Sequence, residues 1–94
     1  MPEPSSDDLA TCRRRLRFRA WHRGTQEADI MIGSFVDKHL DEFSAADCAW
    51  FEDLLNQIDQ DILNWMTGRW PPPKPFDGPL MRAMMKLEHI PTKR

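Results

Sequence analysis

Five of the eight prolines in this 94-residue chain fall between residues 69 and 79: Pro71, Pro72, Pro73, Pro75 and Pro79. Proline fixes φ and has no backbone N–H, so neither a helix nor a central strand runs through such a stretch. Residues 69–79 therefore read as an extended connector, expected to fold Trp70 and Phe76 back onto the rest of the protein. The main body must be finished before residue 69, and only a short element can follow. Pro79 suits the first turn of that last helix. Leu80, Met84 and Leu87 give the helix a periodic face, Pro91 ends it, and Thr92, Lys93 and Arg94 form a basic tail.

Upstream of the connector the apolar residues recur at helical spacing. Residues 1–4 are expected to be loose, and Ser5-Ser6-Asp7-Asp8 supplies hydroxyls and acids for a helix start. The first helix reaches about His22, with Leu9, Cys12, Leu16 and Ala20 on one face. Gly24 breaks it, and a second helix starts near Thr25. Ala28, Met31, Ile32, Phe35, Val36 and Leu40 form its stripe, which ends near Phe43. Ser44-x-x-Asp47 resembles a capping box with Asp in place of Glu. It opens a third helix whose buried face is Cys48, Phe51, Leu55 and Ile58, widened by Trp50 and Leu54. Asp59 is the expected cap of a short fourth helix with Ile62, Trp65 and Met66 on one side. Gly68 ends that helix in the usual C-terminal position. No alternating strand pattern appears. The expected fold is all-α, a single-domain bundle of five helices spanning residues 1–94.

Composition narrows the function. Hydrophobic residues at 40% and charged residues at 30% are ordinary for a globular domain. Cys12 and Cys48 form no CxxC pair, and each reads as a small hydrophobe within a helix. His22, His39 and His89 are too scattered for a metal site. No stretch approaches the roughly 20 apolar residues that cross a bilayer. The N-terminus carries neither a signal-peptide nor a transit-peptide pattern, so the bacterial cytoplasm is the expected compartment. Met81, Met84 and Met85 read first as helix-spaced core, with an adaptable binding surface as the alternative. There is no GxGxxG turn for a pyrophosphate and no nucleophile–base–acid set, so no enzyme activity and no stably bound cofactor is expected.

The net charge of −2 hides a segregation along the chain. Arg13, Arg14, Arg15, Arg17, Arg19 and Arg23 crowd eleven residues, whereas Lys38 is the one basic residue from Glu27 to Asp61. Such a split favours steering towards a charged partner. The run Arg19 to Asp29 is the most informative part. With Gly24 as the N-cap of the second helix, Glu27 is its third residue and can satisfy free N–H groups there. The other reading turns Glu27 to solvent as part of a docking surface. Ile30 and Phe18 lie on otherwise polar sides of their helices. They belong either to a protein-docking patch or to helices wrapped on two sides.

These residues resemble a known family. Arg15-Leu16-x-x-Arg19, then Arg23-Gly24-x-x-Glu27-x-Asp29, is similar to the signature of the succinate dehydrogenase assembly factor 2 family, also called FAD assembly or flavinylation factors. The likeness continues through Ile32-Gly33-Ser34-Phe35, Phe43-Ser44, Phe51-Glu52-Asp53-Leu54-Leu55 and Asp59-Gln60-Asp61-Ile62-Leu63-Asn64-Trp65. It covers roughly residues 13–70. Leu63 stands where an aromatic is common, His22 where Arg or Lys is common, and the Trp70-Pro71-Pro72-Pro73 connector is unusually rich in proline. The resemblance implies a small five-helix protein, and the free chain is expected to be a monomer. It implies binding to the flavoprotein subunit of succinate dehydrogenase, and to that of fumarate reductase in some members. It also implies help with covalent attachment of FAD, a cofactor of the partner, to a histidine of that subunit. Arg23, Gly24, Glu27 and Asp29 would lie on the docking face, and Arg19, Ile30 and Phe18 join them as partner-binding candidates.

A rival reading takes the Arg-rich first helix as the nucleic-acid contact of a small antitoxin-like regulator. The sequence pI near 5.9 and the lack of a recognition-helix unit stand against it. A gel shift compared at low and high salt separates the two, because phosphate contacts are strongly salt-dependent.

Overall fold

A computed structural model describes residues 6–87. It contains five α-helices: α1 (Ser6–Trp21), α2 (Gln26–His39), α3 (Ala45–Leu55), α4 (Asp59–Met66) and α5 (Pro79–Met85). Short 3-10 turns at Leu40–Glu42 and Lys74–Phe76 complete the order. No strand occurs among the described residues. α5 stops at Met85 instead of running to Pro91; Pro91 and the basic tail lie outside the described residues.

α1 packs along α2 and α3, α2 also meets α4, and α4 carries α5. The stripes read from the sequence meet in one core. Leu16 and Ala20 of α1 face Ala28, Ile32, Phe35 and Val36 of α2, all fully buried. Phe35 and Phe43 both pack on Phe51 of α3, at centroid separations of 5.7 and 5.3 Å. Offset aromatic pairs at such distances add to what their area burial supplies. Leu9 and Cys12 only edge the core.

Local signals set most boundaries. Ser44 accepts the Asp47 N–H, and Asp47 accepts the Ser44 N–H, which closes the expected capping box at α3. At the end of α4, Gly68 takes φ +79°. The Arg69 N–H bonds the Asn64 carbonyl at 2.9 Å and the Gly68 N–H bonds the Trp65 carbonyl at 3.3 Å. That pair of bonds is a Schellman motif, and its left-handed residue favours glycine.

Four expectations need correction. Ile58 is not in the core and is 69% exposed. α3 stops at Leu55, the following turn breaks its phase, and Ile58 becomes the N-cap of α4. Asp59 is thus the first residue of α4 instead of its cap, and its carboxylate is used elsewhere. The connector does fold back through Phe76, which stacks 5.7 Å from Trp65 and lies edge-on to Trp50. Trp50 Nε1 ties it down by donating to the Pro75 carbonyl at 3.1 Å. Trp70, however, stays half-exposed. In α5 the deeply buried residues are Met81 and Met84, with Leu80 and Leu87 at the margin.

Candidate functional site

The turn between α1 and α2 is built from two arginines pointing inward and a glycine and a glutamate pointing outward. α1 ends at Trp21, and the His22 N–H bonds the Arg19 carbonyl at 3.3 Å. Gly24 follows with φ +112°, a conformation L-residues rarely adopt. A Cβ there would meet nothing within 4 Å, so the turn is open to whatever approaches it. Thr25, not Gly24, is the N-cap of α2, its Oγ1 accepting the Ala28 N–H at 3.2 Å. Glu27 is accordingly the second helical residue and remains exposed. It has no hydrogen-bonding or ion-pair partner among the described residues, although it complements the positive end of α2.

Arg23 is a clip. Its side chain is 10% exposed. Nε and Nη2 both donate to Asp59 Oδ1, at 2.8 and 2.7 Å, and Nη2 also donates to the Leu55 carbonyl at 2.8 Å. The Arg23 backbone N–H donates to Asp29 Oδ1 at 2.6 Å. Arg19 adds a bond from Nη2 to Asn56 Oδ1 at 2.7 Å. Both arginines therefore fasten the α1–α2 turn to the α3–α4 turn, and Asp29 braces that turn against α2, while Gly24 and Glu27 face outward. Leu55, Asn56 and Asp59 are partners that sequence reasoning missed. No spacing rule couples residues 36 apart, although Asp59 does sit in the motif that carries the family resemblance.

Phe18 is 64% exposed and stacks on His22 at 3.9 Å, with His22 Nδ1 donating to the Phe18 carbonyl at 2.6 Å. Phe18, Trp21 and His22 line an open groove of about 420 Å³ with Arg14 and Arg17. Ile30 is half-buried. The seven residues singled out by sequence thus separate into exposed Phe18, Gly24 and Glu27, partly covered Ile30, and Arg19, Arg23 and Asp29, which are engaged internally.

The arginine run of α1 is largely occupied too. Arg15 pairs with Glu52 at 2.6 Å and Arg17 with Asp37 at 3.0 Å. Glu52 raises the pKa of the Arg15 guanidinium through its hydrogen bond and charge. Arg13 Nη2 donates to the carbonyls of Asp41 and Phe43. Charges segregated along the sequence are thus paired across helices in space. Cys48 is buried, and desolvation pushes its thiol pKa up to about 12. Among the described residues, no group of three or more His, Cys, Asp or Glu is placed to hold a metal ion. No helix there is long and apolar enough to cross a membrane.

A family model described as flavinator of succinate dehydrogenase matches residues 14–88, which include every residue of the two clipped turns. The chain belongs to that family. Among its relatives, the FAD assembly factor SdhE of Acetobacter pasteurianus is 42% identical over 86 residues, covering 92% of this chain and 79% of that protein. The mitochondrial succinate dehydrogenase assembly factor 2-B of Drosophila persimilis is 38% identical over 91 residues. The 2-A protein of Drosophila yakuba is 36% identical over 87 residues. The chain spans 57% and 54% of the lengths of these two fly proteins. Within the flavinator family, then, this chain presents an open glycine turn backed by an arginine clip.

Proposed function

We propose that the chain is an assembly factor that docks on the flavoprotein subunit of succinate dehydrogenase and promotes covalent attachment of FAD to it. The observation that carries the reading is the Gly24–Glu27 turn, open at its surface and fastened underneath by Arg23, within a chain of the flavinator family. A bare glycine lets a partner backbone approach closely. An unpaired exposed carboxylate offers charge recognition, which steers encounter and fixes register. Phe18 supplies exposed aromatic area beside the turn, and interface cores favour such residues.

The factor is not itself the catalyst in this reading. FAD is the partner's cofactor, and the flavin supplies the bond-forming chemistry once bound there. This chain's residues act by binding and orienting. They favour one arrangement of the partner, to the extent of their differential affinity for it. The bacterial cytoplasm is the proposed compartment, and the free protein is proposed to be a monomer.

The test mixes the purified chain with the apo flavoprotein subunit and FAD, then follows in-gel flavin fluorescence after denaturation. Fluorescence on the subunit should rise well above the chain-free control, and the two proteins should co-elute on gel filtration. No rise, together with no complex, refutes the proposal.

A further inference from the structure

The turn that opens α4 holds an apolar residue where local chemistry favours a polar one. Ile58 is the N-cap of α4, with φ −67° and ψ 134°, and its side chain forms no cap hydrogen bond. α2 and α3 show the usual solution: Thr25 and Ser44 each accept an N–H from the first turn of the helix they open. Serine, threonine or aspartate at position 58 could do the same, so an isoleucine there forgoes that stabilisation. Ile58 does not recover it by packing. At 69% exposure it is the most exposed large apolar side chain among the described residues.

Ile58 stands at the same end of the bundle as the docking turn. Arg19 Nη2 donates to Asn56 Oδ1, and Arg23 bonds the Leu55 carbonyl and Asp59 Oδ1. Residues 55–59 are therefore held directly against the turn that carries Gly24. Ile58 precedes Asp59, and Phe18, 64% exposed, precedes Arg19, so each of these exposed apolar side chains stands next to a member of the junction. The ground around Ile58 carries no unpaired charge. Asn56, Gln57 and Gln60 are neutral, and the Asp59 carboxylate is paired with the Arg23 guanidinium at 2.7 Å. A single apolar residue on a surface is ordinary. One that takes the place of a cap, at a fastened junction without free charge, has the makeup of an interface anchor, since interface cores are depleted in charge and their strongest contacts fill desolvated pockets.

We infer that Ile58 is an apolar anchor of the docking face and enters an apolar pocket on the flavoprotein subunit. The inference rests on the docking reading above and gives that face a second contact, made by the α3–α4 turn. Continuity through the Arg23 clip selects this occupant: a subunit surface that covers the Gly24 turn reaches the turn fastened to it. The isoleucine leaves water on binding and gains in proportion to the apolar area it buries. Its branched Cβ is already restricted at χ1, so little rotamer freedom is lost. The clip thereby serves binding as well as folding, because it fixes the spacing between the Gly24 turn and Ile58.

In the experiment, the intact apo flavoprotein subunit is titrated by calorimetry with the wild-type chain, Ile58→Ser and Ile58→Leu, and each chain is also melted alone. Serine restores a cap, so Ile58→Ser should melt about 4 °C above wild type. It should nevertheless bind the subunit about tenfold more weakly. Leucine keeps the apolar contact and should bind within about threefold of wild type. A variant that is more stable and binds worse cannot owe its loss to a damaged fold. If the wild-type chain fails to bind the subunit at all, the docking reading itself falls, and this inference with it. If wild type binds and Ile58→Ser binds as tightly, the Ile58 proposal alone is overturned. It is overturned as well if leucine loses as much as serine, or if the serine variant melts below wild type, since Ile58 would then be supporting the fold. Gel filtration of the free chain over a range of concentrations covers a different occupant. Dimerisation that Ile58→Ser abolishes would assign the side chain to a second copy of the chain and overturn the proposal.

Discussion

Gly33 lies against the indole of Trp21 across the α1–α2 contact, with no room between them for a side chain. A Cβ at Gly33 would stand 2.5 Å from Cε2 and 2.9 Å from Cε3 of the ring, and nearer still to Cδ2. The ring is held in turn by Nε1, which donates to Asp37 Oδ2 at 3.1 Å. Gly33→Ala sets two effects against each other. Alanine favours the helix by about 1 kcal/mol, whereas overpacking costs about 1–3 kcal/mol. At these separations the ring must leave its place, so the clash wins. Urea denaturation should show a net loss of about 1–2 kcal/mol. In a Trp21→Ala background the same substitution should become neutral or stabilising. Equal effects in both backgrounds would refute the contact.

The Arg23 clip makes a different prediction. Removing a largely buried guanidinium strands the Asp59 carboxylate and the Leu55 carbonyl together. Breaking a buried pair by deleting one partner costs about 3–5 kcal/mol. Asp59 is a quarter exposed, which lowers the expected loss for Arg23→Gln to about 2–3 kcal/mol. Arg23→Lys keeps the charge but not the fork of donors, and should fall between the two. A double-mutant cycle with Asp59→Asn reads the coupling directly. Additive losses would mean that the two side chains act independently.

The contrast between the clip and the caps explains what was legible in the sequence. The Ser44–Asp47 box and the Gly68 stop each depend on residues within a few positions, so composition and spacing reveal them. The stripe from Ala28 to Val36 is legible for the same reason, since one helical period sets it. Ile58 was not, because its place depends on α3 ending at Leu55, and a single turn shifts every later residue out of phase. Arg23 read as an exposed cation because its partners lie 32 and 36 residues away, at Leu55 and Asp59. The packing of α1 and α2 against α3 and α4 brings them together. The motif placed Gly24 and Glu27 at the α1–α2 turn, but the cap fell on Thr25 instead of Gly24, and spacing alone left open whether Glu27 caps the helix or faces solvent.

Cys48 should behave as an inert thiol. It is 1% exposed, and burial raises its pKa to about 12 from an ordinary 9.0. The thiolate is the reactive form, so at pH 8 the native protein should leave Cys48 unmodified by Ellman's reagent until it unfolds. Since folding favours the protonated thiol, its contribution to stability is complete below pH 9 and is lost as pH rises towards 12. Peptide mapping after timed labelling checks the first statement. Rapid labelling of Cys48 under native conditions would contradict its burial.

Gly24 gives the most discriminating prediction, because its surroundings are open while its backbone is restrictive. The Cβ of Gly24→Arg has no neighbour within 4 Å and points into open space. The φ of +112° still penalises any L-residue, by about 1–3 kcal/mol. That dihedral means the variant should lose some stability while keeping the fold. Gly24→Ala carries the same backbone penalty without the bulk. The two variants should therefore melt within a degree or two of each other, both below wild type. They should part in binding: alanine retains most of the affinity for the flavoprotein subunit, and arginine loses it. Comparing the pair by thermal melt and pull-down separates backbone strain from obstruction of the docking face. If both variants bind equally well, or both lose binding to the same degree, the open surface at Gly24 is not where the partner sits.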